Sequence, residues 1–489
     1  MERPASRHAA PAANAICRMP AIELAAAIRG KTLSSREVTT AFLDRIDSLN
    51  GQVNAIVSRR DRAAILADAD LADAAVARGG RTGALHGLPV AIKDLAMTKG
   101  LRTTFGSPIF ADFVPDADDF FVERMRAAGA IVIGKTNVPE FGLGSNTYNP
   151  VFGATLNAFD PALTAGGSSG GAAVALALDM VPVADGSDFG GSLRNPAAYN
   201  NVFGFRPSQG TVPAGPELEF FHSQIGVEGP MGRNVADVAL LLGVQAGYDA
   251  RAPLSHGERR SYLDGLDGAA GGRVGWLADL GGHLPMEDGI LGLCSNALER
   301  FEDAGFRTES VTPDFDLPAL WQAFVTLRQA TSGCNLKLHC DAGRQALLKP
   351  EALWEAEGAG RLTAVDVHTA STVRSSWYRT VLALFDRFDV LALPTAQVFP
   401  FAVTTHWPDQ VAGRAMDTYH RWMEVSSYAS LAGCPAINVP VGFDTQGRPM
   451  GMQFIGRPRE DHELLRIAAT YEETMDWEAG ASTMAAPAG

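Results

Sequence analysis

The chain has 489 residues, of which 46% are hydrophobic and 20% are charged, so it can bury a large core. Its formal net charge of −14 argues against a broad nucleic-acid or anionic-membrane surface, because such surfaces need positive charge. The odd number of cysteines, none in C-x-x-C spacing, indicates neither a disulfide framework nor a zinc knuckle: Cys17, Cys294, Cys334, Cys340 and Cys434.

The N-terminus has no continuous apolar segment of the signal-peptide kind, and no run of about 18 apolar residues occurs anywhere. We therefore expect a cytoplasmic protein without a transmembrane helix, in a compartment that keeps thiols reduced. Residues 1–18 are expected to form a disordered arm, and residues 478–489 a flexible tail rich in Ala and Gly.

The first predicted elements alternate between helix and strand. SSREVTTAFLDRIDSL (34–49) predicts a helix with a capping box from Ser34 to Glu37, and an Ala-rich helix follows over 61–77. LPVAIKDL (88–95) is typical of a buried strand, DDFFVERMRAAG (118–129) of a helix, and AIVIGKTN (130–137) of the next strand. Strand, helix and strand in succession predict a parallel crossover in an α/β sheet.

The remaining elements extend this pattern to the C-terminus. TAGGSSGG (164–171) precedes an apolar helix, residues 235–243 predict another helix, and the polar residues 245–275 predict a surface excursion. GGRVGWLADL (271–280) and FDVLALPTA (388–396) predict strands, and residues 431–456 predict two strands joined by a turn at 444–447. No linker divides the chain, so we expect a single domain over residues 19–477.

Three short stretches resemble motifs of other enzyme classes, but the other residues that each motif requires are missing. D-F-G at 188–190 and V-A-I-K at 90–93 occur in kinases, but no histidine lies between Lys93 and Asp188 to supply H-R-D. No lysine follows the glycines of GGSSGG, as a phosphate-binding P-loop requires. The nucleophile elbow G-x-S-x-G, centred on Ser169, lacks the strand that should precede it.

The two glycine-rich stretches can nevertheless support acyl transfer. Ser192 follows Gly190 and Gly191, which permit a tight turn whose backbone N–H groups converge on one anionic oxygen. Lys93 ends a buried strand, where desolvation lowers the pKa of its amine and leaves a base able to take a hydroxyl proton. Ser168 can bridge these two groups.

The stretch GGSSGGAAVALALDMVPVADGSDFGGSLRNPAAYNNVFGFRPS resembles the signature of the amidase signature family. LHGLPVAIKDL, IVIGKTNVPEFGLGS, VEGPMGRNVADVALLL, FDVLALPTA and LAGCPAINVPVGFDTQGRPMGMQFIG resemble that family too. The resemblance covers most of residues 20–475 and is weakest over 245–430. It implies an α/β fold with a large mixed, mostly parallel sheet covered by helices on both faces.

The resemblance also implies a Ser–cisSer–Lys triad: Ser192 is the nucleophile, Ser168 the bridging serine with a cis peptide, and Lys93 the base. Lys93 Nζ is then expected within hydrogen-bonding reach of Ser168 Oγ, and Ser168 Oγ near Ser192 Oγ. Backbone N–H groups are implied to form the oxyanion hole, namely those of Phe189, Gly190, Gly191 and Ser192.

Supporting roles follow from the same resemblance. Ser169 is expected to assist the proton relay, while Asp188 and Arg194 hold the shape of the loop. Many family members have a small or aliphatic residue where Phe189 stands, and FGFRPSQG (203–210) replaces the more usual VGLKPTxG. The expected substrate pocket comprises Gly142, Leu143, Gly144 and Phe189.

The expected reaction is hydrolysis of a small amide by water through an acyl-enzyme, with carbamates and aryl esters as related substrates. We expect no metal, no cofactor, no nucleic acid and no membrane as partners, and a monomer or homodimer. One alternative is a transamidation protein resembling the glutaminase component of glutamyl-tRNA amidotransferase, and another is a non-catalytic scaffold of the same fold.

Overall fold

The structure is a computed structural model that describes residues 13–80, 82–216 and 219–475. Its strands are β1 (Ile56–Val57), β2 (Pro89–Lys93), β3 (Ile131–Thr136), β4 (Tyr148–Asn149), β5 (Gly153–Ala154), β6 (Ala184–Asp188), β7 (Phe203–Arg206), β8 (Val227–Gly232), β9 (Gly272–Trp276), β10 (Phe306–Ser310), β11 (Val390–Pro394), β12 (Gln410–Val411), β13 (Arg414–Ala415), β14 (Ala436–Phe443) and β15 (Pro449–Ile455).

The helices are α1 (Ala13–Arg18), α2 (Ala21–Arg29), α3 (Ser35–Val53), α4 (Arg62–Ala77), α5 (Phe120–Ala127), α6 (Gly170–Ala177), α7 (Arg194–Tyr199), α8 (Val235–Gln245), α9 (Ile290–Phe301), α10 (Leu317–Arg328), α11 (Cys334–Asp341), α12 (Pro350–Ala359), α13 (Ala364–Phe385), α14 (Ser427–Ala432) and α15 (Asp461–Thr474). A π-helix, Gln329–Gly333, joins α10 to α11. No helix among the described residues is long and apolar enough to cross a membrane.

The largest sheet has the strand order β10–β9–β11–β15–β14–β7–β8–β6. Only the pairings of β9 with β10 and with β11 are parallel, and the other five are antiparallel. The α/β architecture with a mixed sheet is confirmed, but the expectation of a mostly parallel sheet is wrong. The turn between β14 and β15 is too short for a crossover, so these two strands can pair only antiparallel. The other antiparallel pairs join strands separated by long stretches of the chain, whose relative direction no local pattern reveals.

The predicted strand–helix–strand unit forms a sheet of its own. β2 and β3 are parallel and are joined through α5, while β1 pairs antiparallel with β3. β2 packs beside β6, the last strand of the large sheet. The edge strand β2 of the small sheet therefore lies beside the edge strand β6 of the large sheet, and the two glycine-rich loops lie at this junction.

Capping residues and apolar faces explain where the helices around this junction begin and which sides of them are buried. In α3 the Ser34 hydroxyl accepts from the Glu37 N–H at 3.0 Å, and the Glu37 carboxylate accepts from the Ser34 N–H at 2.8 Å, which confirms the predicted capping box. The apolar face of α3 is fully buried, as are the side chains of α6 from Ala172 to Leu176.

The N-terminal expectation needs a correction. Residues 13–18 form α1, and Ile16 and Cys17 are buried against the main core, so this part of the expected arm is folded rather than disordered. Burial of two apolar side chains offsets part of the entropic cost of ordering so short a helix. Residues 1–12 of the arm and the tail at 478–489 lie outside the described residues, and a single domain over 19–477 stays a prediction.

Candidate active site

The Lys93 amino group lies at the end of β2, almost completely buried. It donates hydrogen bonds to Ser168 Oγ at 2.9 Å, Ser169 Oγ at 2.7 Å and Ser187 Oγ at 2.8 Å. The contact with Ser168 is the one expected from the sequence. Three hydroxyls around one amine form a connected path along which a proton can move.

The charge of Lys93 is finely balanced. Burial lowers the pKa of Lys93 to about 8, against the opposing pull of the carboxylates of Glu228, Asp185 and Asp188. Asp185 accepts hydrogen bonds from the Lys93 backbone N–H rather than from its amino group. The amine can therefore lose its proton near neutral pH, which an ordinary lysine cannot.

The loop that carries Ser168 leads into α6, and the start of α6 packs closely against the chain just past β3. The Gly167–Ser168 peptide bond is cis. A Cβ atom at Gly171 would lie 2.3 Å from the backbone nitrogen of Asn137, just past the end of β3. Glycine at 171 therefore lets the start of α6 rest directly on the backbone at Asn137, which restricts where the preceding loop with Ser168 can lie.

The turn that carries Ser192 follows β6. The Ser169 N–H donates to the Ser192 carbonyl at 3.2 Å, which ties the two glycine-rich loops together. Ser168 and Ser192 both line one cavity of about 270 Å³. The structure thus brings the three residues of the expected triad to one place.

Asp188 holds this turn by charge. Its carboxylate, fully buried, accepts two hydrogen bonds from the Arg194 guanidinium at 3.0 Å and one from Arg206 at 3.2 Å. Although burial alone would raise the pKa of Asp188, the two guanidinium groups hold that pKa well below its usual range. The lowered pKa favours the charged carboxylate, which accepts the N–H groups of Gly191 and Leu193 within the turn. These contacts agree with the loop-shaping role expected for Asp188 and Arg194, which stays a prediction.

The expected oxyanion hole needs one correction. The Gly191 N–H already donates to Asp188 Oδ1 at 2.8 Å, because the turn folds back over its own carboxylate. The candidate donors are then the N–H groups of Phe189, Gly190 and Ser192.

Two of the four residues expected to form the substrate pocket lie in this cavity. Gly142 and Phe189 line the cavity beside Ser168 and Ser192. The expectation is corrected for Leu143, which is buried in a separate apolar cluster, and for Gly144, which faces the ring of Tyr419. The side chain of Leu143 turns away because the apolar faces of α11 and α12 cover it.

The family model for Amidase matches residues 37–465. The chain belongs to the amidase signature family. An acylamidase from Rhodococcus erythropolis is 36% identical over 465 residues, which cover 94% of this chain and 96% of that protein. A component of the glutamyl-tRNA(Gln) amidotransferase from Chromohalobacter salexigens is 34% identical over 481 residues, with coverage of 93% and 96%.

Among solved structures, a bacterial aryl acylamidase of the amidase signature enzymes superposes with a TM-score of 0.88 at 28% identity. The match covers 94% of this chain and 97% of that chain. These likenesses confirm the family that the motifs indicated. This amidase signature protein is an enzyme that hydrolyses amide C–N bonds.

Sequence reasoning missed three polar residues of this amidase signature site. Asp185 accepts the Lys93 N–H, Ser187 contacts the Lys93 amine, and Arg206 pairs with Asp188. The available signal was the strand ADGSD (184–188), which is polar although it is fully or partly buried along its whole length. Arg206 stands in the stretch that departs from the family pattern, but its contact with Asp188 spans two strands and could not be inferred from spacing.

No cluster of three or more His, Cys, Asp or Glu side chains suited to a metal ion occurs among the residues that the structure describes. Independence from metal ions and cofactors stays a prediction for this enzyme.

We expect Arg206→Met to lower the free energy of unfolding by about 3–5 kcal/mol, because it leaves the buried Asp188 carboxylate with one guanidinium partner instead of two. Arg379→Met is the control, since Arg379 is exposed and should change stability by no more than about 0.5 kcal/mol. Urea unfolding of both variants measures the difference, and equal midpoints would contradict the assigned role of Arg206.

Proposed function

We propose that the chain is a stand-alone amidohydrolase in which Ser192 is the nucleophile, Ser168 the proton bridge and Lys93 the base. The observation that carries the proposal is the buried amine of Lys93, hydrogen-bonded to Ser168 in the wall of a cavity that also contains Ser192. The proposed path runs from Lys93, a base with a lowered pKa, through Ser168 to the hydroxyl of Ser192, which lines the same cavity as Ser168.

In the acylation step neutral Lys93 takes a proton from Ser168 while Ser168 takes the proton of Ser192. Ser192 Oγ attacks the amide carbon, and the carbonyl oxygen becomes an anion held by the backbone N–H groups of Phe189, Gly190 and Ser192. The C–N bond then breaks, and the proton held on Lys93 returns through Ser168 to the leaving nitrogen. The products of this step are an amine, or ammonia, and an acyl ester on Ser192.

Deacylation uses the same groups in the same order. A water molecule gives its proton through Ser168 to Lys93 and attacks the ester carbon, again forming an oxyanion at the backbone donors. Collapse breaks the bond to Ser192 Oγ, which regains a proton from the relay, and a carboxylic acid leaves. Asp188 takes no part in these transfers because its pKa lies far below neutrality.

Carbamates and aryl esters pass through the same tetrahedral chemistry, so they belong in the proposed substrate range. The transamidation alternative has support from relatives such as the Chromohalobacter protein, but the acylamidase from Rhodococcus is more similar in sequence. We propose action in the cytoplasm, on a small substrate, by a monomer or homodimer. Hydrolysis of amides, anilides, carbamates and esters by the purified chain alone distinguishes the stand-alone enzyme from both alternatives.

We expect Ser192→Ala to lower kcat on the order of 10³-fold or more, and Lys93→Met by at least about a hundredfold, because each interrupts the proton path. Ser375→Ala is the control and should keep wild-type turnover, because Ser375 is exposed on α13 and does not line the cavity that contains Ser192. Steady-state rates and thermal unfolding midpoints are compared for all three variants. Wild-type turnover by folded Ser192→Ala protein would overturn the proposed nucleophile.

Activity should rise with pH through a single acid limb near pH 8, since only neutral Lys93 accepts a proton and its pKa is about 8. The neutral fraction grows from about one-tenth at pH 7 to about nine-tenths at pH 9. The negative charge of Glu228, which opposes Ser187 in the β6–β8 ladder, raises this pKa. Glu228→Gln should therefore move the limb to lower pH.

Glu219→Gln serves as the control for this shift, because Glu219 lines the same cavity but is not among the charges that act on Lys93. Profiles of log kcat/KM against pH between about 6 and 10 compare the two variants. An acid limb that stays in place or moves to higher pH in Glu228→Gln would rule out Lys93 as the titrating base.

A further inference from the structure

A second cavity of about 380 Å³ adjoins the cavity that contains Ser192. We call it the outer groove. The two spaces share four wall residues: Phe189, Glu219, Ser223 and Ser332. A molecule can therefore extend from beside Ser192 into the outer groove without leaving the protein surface.

The outer groove has a different chemical character from the catalytic cavity. Its walls come from the π-helix with the start of α11, the end of α12 and the start of α13, and the apolar contributors are Ala330, Ala359, Leu362, Ala364 and Val367. Among the described residues that line it, Glu219 supplies the only carboxylate, and no Lys or Arg contributes. That carboxylate is occupied by the backbone N–H groups of residues 221, 222 and 223.

The catalytic cavity, by contrast, is polar and small. Charged side chains of Glu228 and Arg328 line it together with the hydroxyls of Ser168 and Ser192. Its volume of about 270 Å³ is below the roughly 300–1,000 Å³ typical of sites for drug-sized ligands, whereas the outer groove falls within that range. The catalytic cavity therefore suits the reacting amide group, and the outer groove suits a larger apolar attachment.

Phe189 stands where the two spaces meet. Its ring packs edge-on against Phe324 with centroids 5.9 Å apart, and the Arg328 guanidinium lies 5.1 Å from its centre. Arg328 is in turn held by Glu355 at 2.6 Å. The ring is thus a fixed apolar surface over which a chain or an aromatic ring can pass, and its attachment next to Asp188 links this surface to the catalytic turn.

We propose that the enzyme acts on extended amides, whose C–N bond lies beside Ser192 while an apolar chain or ring of the same molecule passes Phe189 and fills the outer groove. The inference rests on the proposed function and adds its substrate class. Apolar contact in the groove selects substrates by length. The extended part belongs to either the acyl or the amine side of the bond, and two substrate series distinguish these.

The first experiment measures kcat/KM for primary amides from acetamide to octanamide, and for N-alkyl acetamides from N-methyl to N-octyl. In one series we expect a rise of up to about fourfold per added methylene once the chain reaches the groove. Val367→Trp, which fills the groove, should abolish that rise, mainly through KM, while acetamide is hydrolysed within about twofold of wild type. The series in which kcat/KM rises with chain length shows whether the acyl side or the amine side of the amide enters the groove.

Two further variants make the result decisive. Val365→Trp is the matched control: it lies two residues away on α13, is 72% exposed and does not line the groove, so the length dependence should persist. Ala364→Trp fills the groove from an exposed position and replaces Val367→Trp if that variant folds poorly. Equal loss for short and long substrates, or an unchanged length dependence, would overturn the proposal.

A second readout does not depend on turnover. Cys334 is exposed in the groove wall, while Cys340 lies outside the groove. In Ser192→Ala protein, octanamide or N-octylacetamide should slow alkylation of Cys334 by iodoacetamide at least threefold and leave Cys340 unaffected, as measured by peptide mass spectrometry. Protection without hydrolysis by wild type would contradict the proposed function alone, whereas hydrolysis without protection or length dependence would contradict the groove alone.

Discussion

The desolvated amino group of Lys93 is the constraint on which the proposed catalytic arrangement depends. An ammonium ion in an apolar interior is unstable, and a carboxylate in direct contact would fix it as a cation with a raised pKa. The structure surrounds it instead with hydroxyls from Ser168, Ser169 and Ser187, which can donate to the neutral amine or accept from the charged one. The nearby carboxylates offset the effect of burial only in part, so the pKa lies at about 8 and either protonation state is accessible.

Asp188 is also buried, but unlike Lys93 it is held in its charged form by direct ionic partners. Two guanidinium groups contact its carboxylate directly, and the resulting anion does not titrate in the working range of the enzyme. The same carboxylate accepts the N–H groups of Gly191 and Leu193, so the turn around Ser192 is built on a fixed charge. In the proposed mechanism, Lys93 therefore transfers protons, while Asp188 maintains the geometry of the loop. A change in the protonation of Lys93 leaves the turn around Ser192 in place, because the charge of Asp188 that organises this turn does not change with it.

The sequence predicted what depends on local chemistry. The capping box at Ser34, the strand that ends at Lys93 and the antiparallel pair β14–β15 follow from neighbouring residues. The errors concern interactions between distant segments. The one strand–helix–strand unit that the sequence reveals forms a separate sheet, so it carries no information on strand direction in the large sheet, where the expectation came from the family resemblance. Arg206 was missed and Leu143 was misplaced for the same reason, since a strand pairing and a helix contact decide what each one touches. The helix at residues 13–18 depends on burial of two side chains against distant parts of the chain, which so short a segment does not reveal.

The residues of the proposed reaction and the residues that line the outer groove come from different parts of the chain. The residues of the proposed proton path and of the oxyanion turn lie between positions 93 and 192, where the family motifs are concentrated. Most of the outer groove comes from residues 330–367, in the region where the family resemblance is weakest. Changes of side-chain volume in those helices alter the groove without touching the hydrogen bonds of Lys93, because the two parts meet only at shared wall residues such as Phe189 and Ser332. A small apolar position such as Val367 can therefore set the accepted substrate length while the chemistry at Ser192 stays the same.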